Sequence, residues 1–376
     1  MKDTAVYIHI PFCDHKCIYC DFYSIISYEN TNSYLNSLLK EIDFYSKKYS
    51  DERKINSIYF GGGTPSFMEP EYIGTIINSI KSKFNVYDNA EITLETNPGT
   101  VSKEKLEGFR NAGINRISIG IQSFNKEELE FLTRIHNAET AINTVNDAAV
   151  TGFDNISVDL IFNLPKQTKE KWRDNLYVLS GLPVKHVSAY SLILEHGTIL
   201  NKMVLDGKVQ MQDEDYDADL YEYAIDFFER NGFNQYEVSN FSKPGFECIH
   251  NLAYWRYKDY LGFGTSAHSF VNGKRWWNYS SVKFYNDAVL KNNHAAAGEE
   301  TLSVNQKLDE YVMLAFRSYG LDLNEMQKLF GDNWRNKNLE YISKLINDNY
   351  MIEKDSLLKL TSKGYSLCDE IISNMK

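Results

Sequence analysis

Phe12-Cys13-Asp14-His15-Lys16-Cys17-Ile18-Tyr19-Cys20 sets three cysteines at C-x3-C-x2-C spacing, directly after residues 6–10, a run of the β-branched and aromatic kind that strands favour. Thiolates are the ligands that iron–sulfur clusters require. Three on one short loop hold three corners of a cubane and leave the fourth iron without a protein ligand, an open position of the kind at which metal centres do chemistry. A structural zinc site completed by His15 or His9 is the competing reading of the loop alone, although such sites usually come as paired C-x2-C halves. The chain has five cysteines, three of them crowded into this loop, which is no disulfide framework; in a reducing compartment such a cluster reads as a metal site. The expected location is therefore the cytoplasm.

Outward from the loop, the first half alternates two patterns. Residues 57–60, 91–95, 116–121, 156–162 and 186–192 continue the strand pattern begun at 6–10. Between the first two strands Leu35, Leu38, Leu39, Ile42 and Tyr45 recur at helical spacing, with Asn30 or Asn32 as the cap. Residues 71–84, 103–111, 127–134, 138–150 and 170–179 repeat the helical pattern, and Gly113 and Gly152 follow helical runs where a left-handed cap favours glycine. Six strand–helix alternations predict an α/β fold with parallel strands and right-handed crossovers, an open partial (β/α)6 barrel over residues 1–200. Residues 201–300 read as an α+β extension: a long helix over 213–231, a strand over 235–241, then an aromatic, glycine-containing stretch over 245–278. Residues 301–376 read as helices followed by a short hairpin, either a winged-helix-like module or a plain helical cap.

Gly61-Gly62-Gly63-Thr64-Pro65 follows the second strand, where glycines let backbone groups approach a charged ligand closely. With the cysteine loop on the preceding strand, the chain resembles the radical SAM superfamily, whose signature is C-x3-C-x2-C after strand one and a glycine-rich turn after strand two. The resemblance implies a [4Fe–4S] cluster on Cys13, Cys17 and Cys20, with S-adenosylmethionine (SAM) on the free iron. Glu95 and Asp159 fall on parallel strands near whose carboxyl ends ligands bind, and acids there suit ribose hydroxyls. Gln122 ends the fourth strand, Arg134 follows one helix later, and Tyr7 and Tyr19 flank the loop where adenine is to pack. Together with Gly62, Gly63 and Thr64 they resemble the SAM contacts of the oxygen-independent coproporphyrinogen III oxidase group; the same alignment puts Ile193 on the adenine side and His268 toward SAM.

That likeness extends through Val158-Asp159-Leu160-Ile161-Phe162-Asn163-Leu164-Pro165-Lys166-Gln167-Thr168 and covers essentially the whole chain. Two departures separate it from the true oxidase. Phe22 stands where that enzyme carries a fourth cysteine, and no extension is expected before Cys13. A third feature, His250-Asn251-Leu252-Ala253-Tyr254-Trp255, is similar to the H-N-x-x-Y-W heme motif of the heme chaperone branch. A neutral imidazole is a common axial ligand and aromatic neighbours bury a macrocycle, so the resemblance implies that His250, Asn251, Tyr254 and Trp255 bind heme. Cys248 lies two residues before His250, either near heme or simply buried; Cys368 is expected in inert packing.

Bulk composition bounds the rest. Apolar residues at 43% and charged residues at 24% are ordinary for a globular protein, and 26 tyrosines suit either a flat ligand or the core. Net charge of −11 disfavours a nucleic-acid partner. No stretch of 18 or more apolar residues occurs, and the N-terminus lacks a signal-type apolar core. The first expectation is a heme chaperone that delivers heme to acceptor proteins, including ones at a membrane surface. The alternative is the oxidase itself, in which a 5′-deoxyadenosyl radical abstracts hydrogen from propionate side chains before decarboxylation. A nucleic-acid-modifying radical SAM protein is the third.

Overall fold

The computed structural model describes residues 1–375. The apolar runs of the first half form β1 (Lys2–Ile10), β2 (Arg53–Gly62), β3 (Asn85–Thr96), β4 (Arg116–Gln122), β5 (Asn155–Phe162) and β6 (His186–Ser191), parallel neighbours in that order. Each step crosses over through helix: α1 (Thr31–Tyr49), α2 (Pro70–Lys83), α3 (Lys103–Asn111), the pair α4 (Lys126–Phe131) and α5 (Ala138–Val150), and α6 (Lys169–Ser180). Ser102, Asn125, Asn137 and Thr168 cap their helices through the side chain, whereas Asn30, at the cap of α1, makes no such bond. Gly113 and Gly152 have φ of 108° and 92°, as helix-ending glycines should.

Strand side chains alternate between two faces, and the sequence uses both. On β4, Ile117, Ile119 and Ile121 pack into the core, while Ser118, Gly120 and Gln122 face an internal cavity. On β5, Val158, Leu160 and Phe162 take the core side and Asp159 and Ile161 the cavity.

The second half begins with α7 (Ile199–Leu205) and α8 (Glu214–Arg230), then extends the same sheet at both edges. β7 (Asn234–Gln235) and β8 (Asn240–Ser242) continue it beyond β6, with β8 antiparallel to it. The single strand expected over 235–241 is thus two short strands, with the buried Glu237 accepting backbone and side-chain donors in the turn between them. After α9 (Ile249–Trp255), β9 (Tyr260–Phe263) pairs parallel to the far side of β1. β10 (His268–Val271), β11 (Lys274–Asn278) and, beyond α10 (Val282–Asn292), β12 (Ala296–Thr301) follow antiparallel. The twelve-stranded sheet does not close: β12 and β7 are its two edges.

The C-terminal segment runs α11 (Val304–Phe316), β13 (Leu321–Asp322), α12 (Leu323–Phe330), α13 (Asn333–Asn347), β14 (Met351–Lys354) and β15 (Leu357–Leu360), ending in α14 (Ser362–Tyr365) and α15 (Cys368–Ser373). Its three strands pair antiparallel around a second apolar core that includes Phe316, Trp334, Ile342 and the buried Cys368. Tyr221 of α8 packs on both cores, and Arg275 of β11 donates twice to Glu310 of α11 (2.9 and 3.0 Å).

Candidate functional site

The end of β1 and the turn after β2 are sewn together by backbone. Gly63 N–H donates to Ile10 (2.8 Å) and Thr64 N–H to Phe12 (2.8 Å), while Cys13 N–H donates to Ile25 (3.0 Å) and folds the cysteine loop back on itself. The glycines are sterically required. Gly62 has φ of 112°, and a Cβ there would stand 2.6 Å from the His9 ring; one on Gly63 would stand 2.7 Å from the Phe12 carbonyl oxygen. His9 is buried, and burial lowers its pKa to about 4, so the ring is neutral. It pairs with the Tyr23 carbonyl (3.0 Å) and the Tyr7 hydroxyl (3.2 Å).

Polar contacts then link the thiols. Cys13 Sγ lies 3.2 Å from Thr64 Oγ1, which accepts from Asn97 (3.0 Å). Arg134 donates to Asn97 Oδ1 and the Gly120 carbonyl (both 2.7 Å) and reaches Cys17 Sγ at 3.6 Å. Burial raises the Cys13 thiol and pushes Cys20 up to about 11, so these groups need a cation to hold them as thiolates. Among the described residues no three His, Cys, Asp or Glu side chains are arranged to hold one ion. A cubane asks for something else, one thiolate on each of three irons. All three thiols line one cavity, as a cluster on this loop would require, and His9, turned to Tyr23, does not complete a zinc set.

Cys13, Cys17, Cys20, Tyr19, Gly62, Gly63, Thr64, Glu95, Gln122, Arg134, Asp159 and Ile193 line one cavity of about 420 Å³, the size of an ordinary ligand pocket. Ile193 (67% exposed) and Phe22 (61% exposed) stand at its open side. Tyr59 donates its hydroxyl to Glu95 (2.8 Å), and Ser118 donates to Asp159 (3.2 Å). Burial pushes Glu95 up to about 7 and raises Asp159, so bound hydroxyls here would compete with few waters. Sequence reading missed Asn97, Ser118 and Tyr190 on this wall. Asn97-Pro98 directly after β3, at a carboxyl strand end, is the signal that points to the first.

Two expectations are corrected, and a third meets a closed arrangement. His268 does not reach the cavity: it is exposed on β10, two strands out from β1, with its ring stacked 6.0 Å from Trp277. Tyr7 lines a second cavity behind the first, about 220 Å³, with Tyr59, Arg116, His250, Asn251 and Tyr254; Glu95, Ser118, Asp159 and Tyr190 line both. Most consequential is the motif histidine. His250 is 2% exposed, Nδ1 pairs with Ser57 (3.1 Å), Nε2 with the Tyr254 hydroxyl (3.0 Å), and the ring stacks on Tyr59 at 4.8 Å. Burial and the Arg116 charge lower its pKa to about 3. Spacing of four residues puts His250 and Tyr254 on one helix face, and that face is turned inward. Trp255, half-buried, lines neither cavity. A 220 Å³ space is below the ~300–1,000 Å³ of ordinary ligand pockets, so this arrangement does not fit a heme.

Residues 7–176 match the radical SAM superfamily model. The chain is 33% identical to the heme chaperone HemW of Lactococcus lactis over 372 residues, 98% of this chain and 96% of that protein. Its identity to the heme chaperone HemW of Bacillus subtilis is 31%, covering 98% and 97%; to that of Haemophilus influenzae it is 42%, covering 71% and 70%. In fold it is similar to the Escherichia coli coproporphyrinogen III oxidase HemN, a radical SAM enzyme, with TM-score 0.84 and 23% identity over 99% and 89% of the two chains.

Proposed function

Because the chain belongs to the heme chaperone HemW family of radical SAM proteins, we propose that it binds heme and passes it to an acceptor protein, with a [4Fe–4S] cluster and SAM bound in the larger cavity. The observation that carries this reading is the relation to named heme chaperones along 98% of the chain. Phe22 in place of the oxidase's fourth cysteine supports it.

On this reading Cys13, Cys17 and Cys20 hold three irons, and Gly62, Gly63 and Thr64 present backbone to the amino-acid end of SAM. Glu95 and Asp159 take the ribose hydroxyls, Gln122 and Arg134 close the polar side, and Tyr19 and Ile193 flank the adenine. When bound and reduced, the cluster supplies an electron to the sulfonium of SAM. Arg134, fixed by Asn97 and the Gly120 carbonyl, keeps a positive charge beside Cys17 Sγ. Steady cleavage of SAM is not required: cluster and SAM set the conformation competent for heme transfer. The protein acts in the cytoplasm, and its acceptors include proteins at a membrane surface; no helix among the described residues is long and apolar enough to cross one.

The test is anaerobic reconstitution followed by hemin titration of the wild type and His250→Ala. A Soret shift that saturates near one equivalent in the wild type and is lost in the variant is the expected result. Equal uptake and transfer by the variant removes His250 as ligand. Conversion of coproporphyrinogen to protoporphyrinogen by the reconstituted protein overturns the chaperone reading in favour of the oxidase.

A further inference from the structure

Resting on that reading, the misfit between His250 and a heme points to a latch: we propose that Glu91 fastens helix α9 to the barrel with His250 turned inward, and that ligation by His250 is gated by release of this helix.

Helix α9 has seven residues, and its N-cap residue, Cys248, makes no side-chain capping bond. A helix so short is marginal by itself, so its place is set by what grips it. The grip comes from β3. Glu91, 5% exposed, accepts from the backbone N–H of His250 (3.1 Å) and Ile249 (3.2 Å) and from Cys248 Sγ (3.4 Å). The carboxylate thus caps the positive end of a helix that carries no cap of its own. Arg116 Nε stands 3.9 Å from Glu91 Oε2, the oxygen that accepts from Ile249, and sets a buried positive charge beside the cap. A second grip is on the imidazole, through Ser57 of β2 and Tyr254. Both grips lie inside the barrel, whereas Ile249 and Arg256 at the two ends of α9 are exposed; α11 packs on the helix and Arg256 lies over the Tyr319 ring at 5.1 Å, so release also parts these outer contacts.

If only the released form offers an imidazole nitrogen, apparent affinity is the intrinsic affinity scaled by the fraction released. Weakening the latch then speeds uptake and tightens it. Glu91 is accordingly a positioning residue.

The experiment compares the full-length wild type, Glu91→Gln and Ser57→Ala. Amide hydrogen exchange over residues 249–255 and diethylpyrocarbonate labelling of His250 report release directly; stopped-flow Soret absorbance reports hemin association. In the wild type, His250 is protected and the observed rate reaches a plateau as hemin is raised. In Glu91→Gln, exchange, labelling and the plateau all rise about tenfold, the scale of one weakened charge-assisted hydrogen bond. In Ser57→Ala, labelling rises more than amide exchange, and this variant carries the test if Glu91→Gln fails to fold beside an unpaired Arg116. Wild-type His250 labelled as fast as a free imidazole overturns the latch. So does faster labelling with an unchanged hemin rate. Absence of specific hemin uptake counts against the functional reading instead, and the latch is then decided by exchange and labelling.

Discussion

Gly63 has no unusual backbone angle, yet it tolerates no side chain, because the Phe12 carbonyl stands where a Cβ would go. Gly63→Ala must push the cysteine loop away from the turn, at a cost of about 1–3 kcal/mol. Thermal unfolding is expected to show that loss, together with reduced iron content after reconstitution. The pH response of His250 also belongs to this scale. Burial drops its pKa from 6.5 to about 3, so the unfolded chain takes up the proton first. The neutral ring contributes stability above pH 6.5 that is lost as the pH falls toward the folded value, at about 1.4 kcal/mol per pH unit. The stability gap between wild type and His250→Gln is expected to narrow on acidification, read from denaturant midpoints. A gap that widens contradicts the buried neutral ring. The residues of the larger cavity were legible because they sit on two local motifs and on strand ends, where position implies direction. His250's state was not, since Ser57 and Glu91 reach it from strands far earlier in the chain.

Single elements show the same division. Most helices and strands of the first half follow from periodicity, because each buries one regular face. What periodicity does not reveal is an acid on the buried face. Glu41 of α1 is fully buried and accepts from Gly264 N–H (2.9 Å), Asn278 (2.7 Å) and the Tyr285 hydroxyl (2.7 Å), fixing the helix against the β9–β11 side. Glu41→Ala strands three donors and is expected to cost about 3 kcal/mol or more, with Glu41→Gln recovering part of it, measured by chemical denaturation. The short elements between 234 and 278 were hardest to read, as two- to five-residue strands carry too few residues for a period to appear.

For the molecule as a whole, the C-terminal core is a second body held to the sheet by a few contacts. Arg275→Ala removes both bonds to Glu310, which leaves α11 less firmly held. The expected loss is about 1–2 kcal/mol. It is expected to appear as faster hydrogen exchange in residues 304–375, with residues 1–200 unchanged; uniform change along the chain would refute a local link. That residues 201–300 thicken both edges of one sheet was not legible, since β9 carries no mark of its partner in its own sequence.

Pairing of Ala5 with Tyr260 places the first strand made beside one of the later ones. At ribosomal speeds of about 5–20 residues per second, roughly 13–50 s separate their emergence. During that interval β1 has a neighbour on one side only, and the loop after it hangs from an unfinished wall. Contacts so distant along the chain also slow folding. The strand that bears the cysteine loop is therefore flanked on both sides only late in synthesis, and the wall behind that loop is among the last parts of the sheet to be completed.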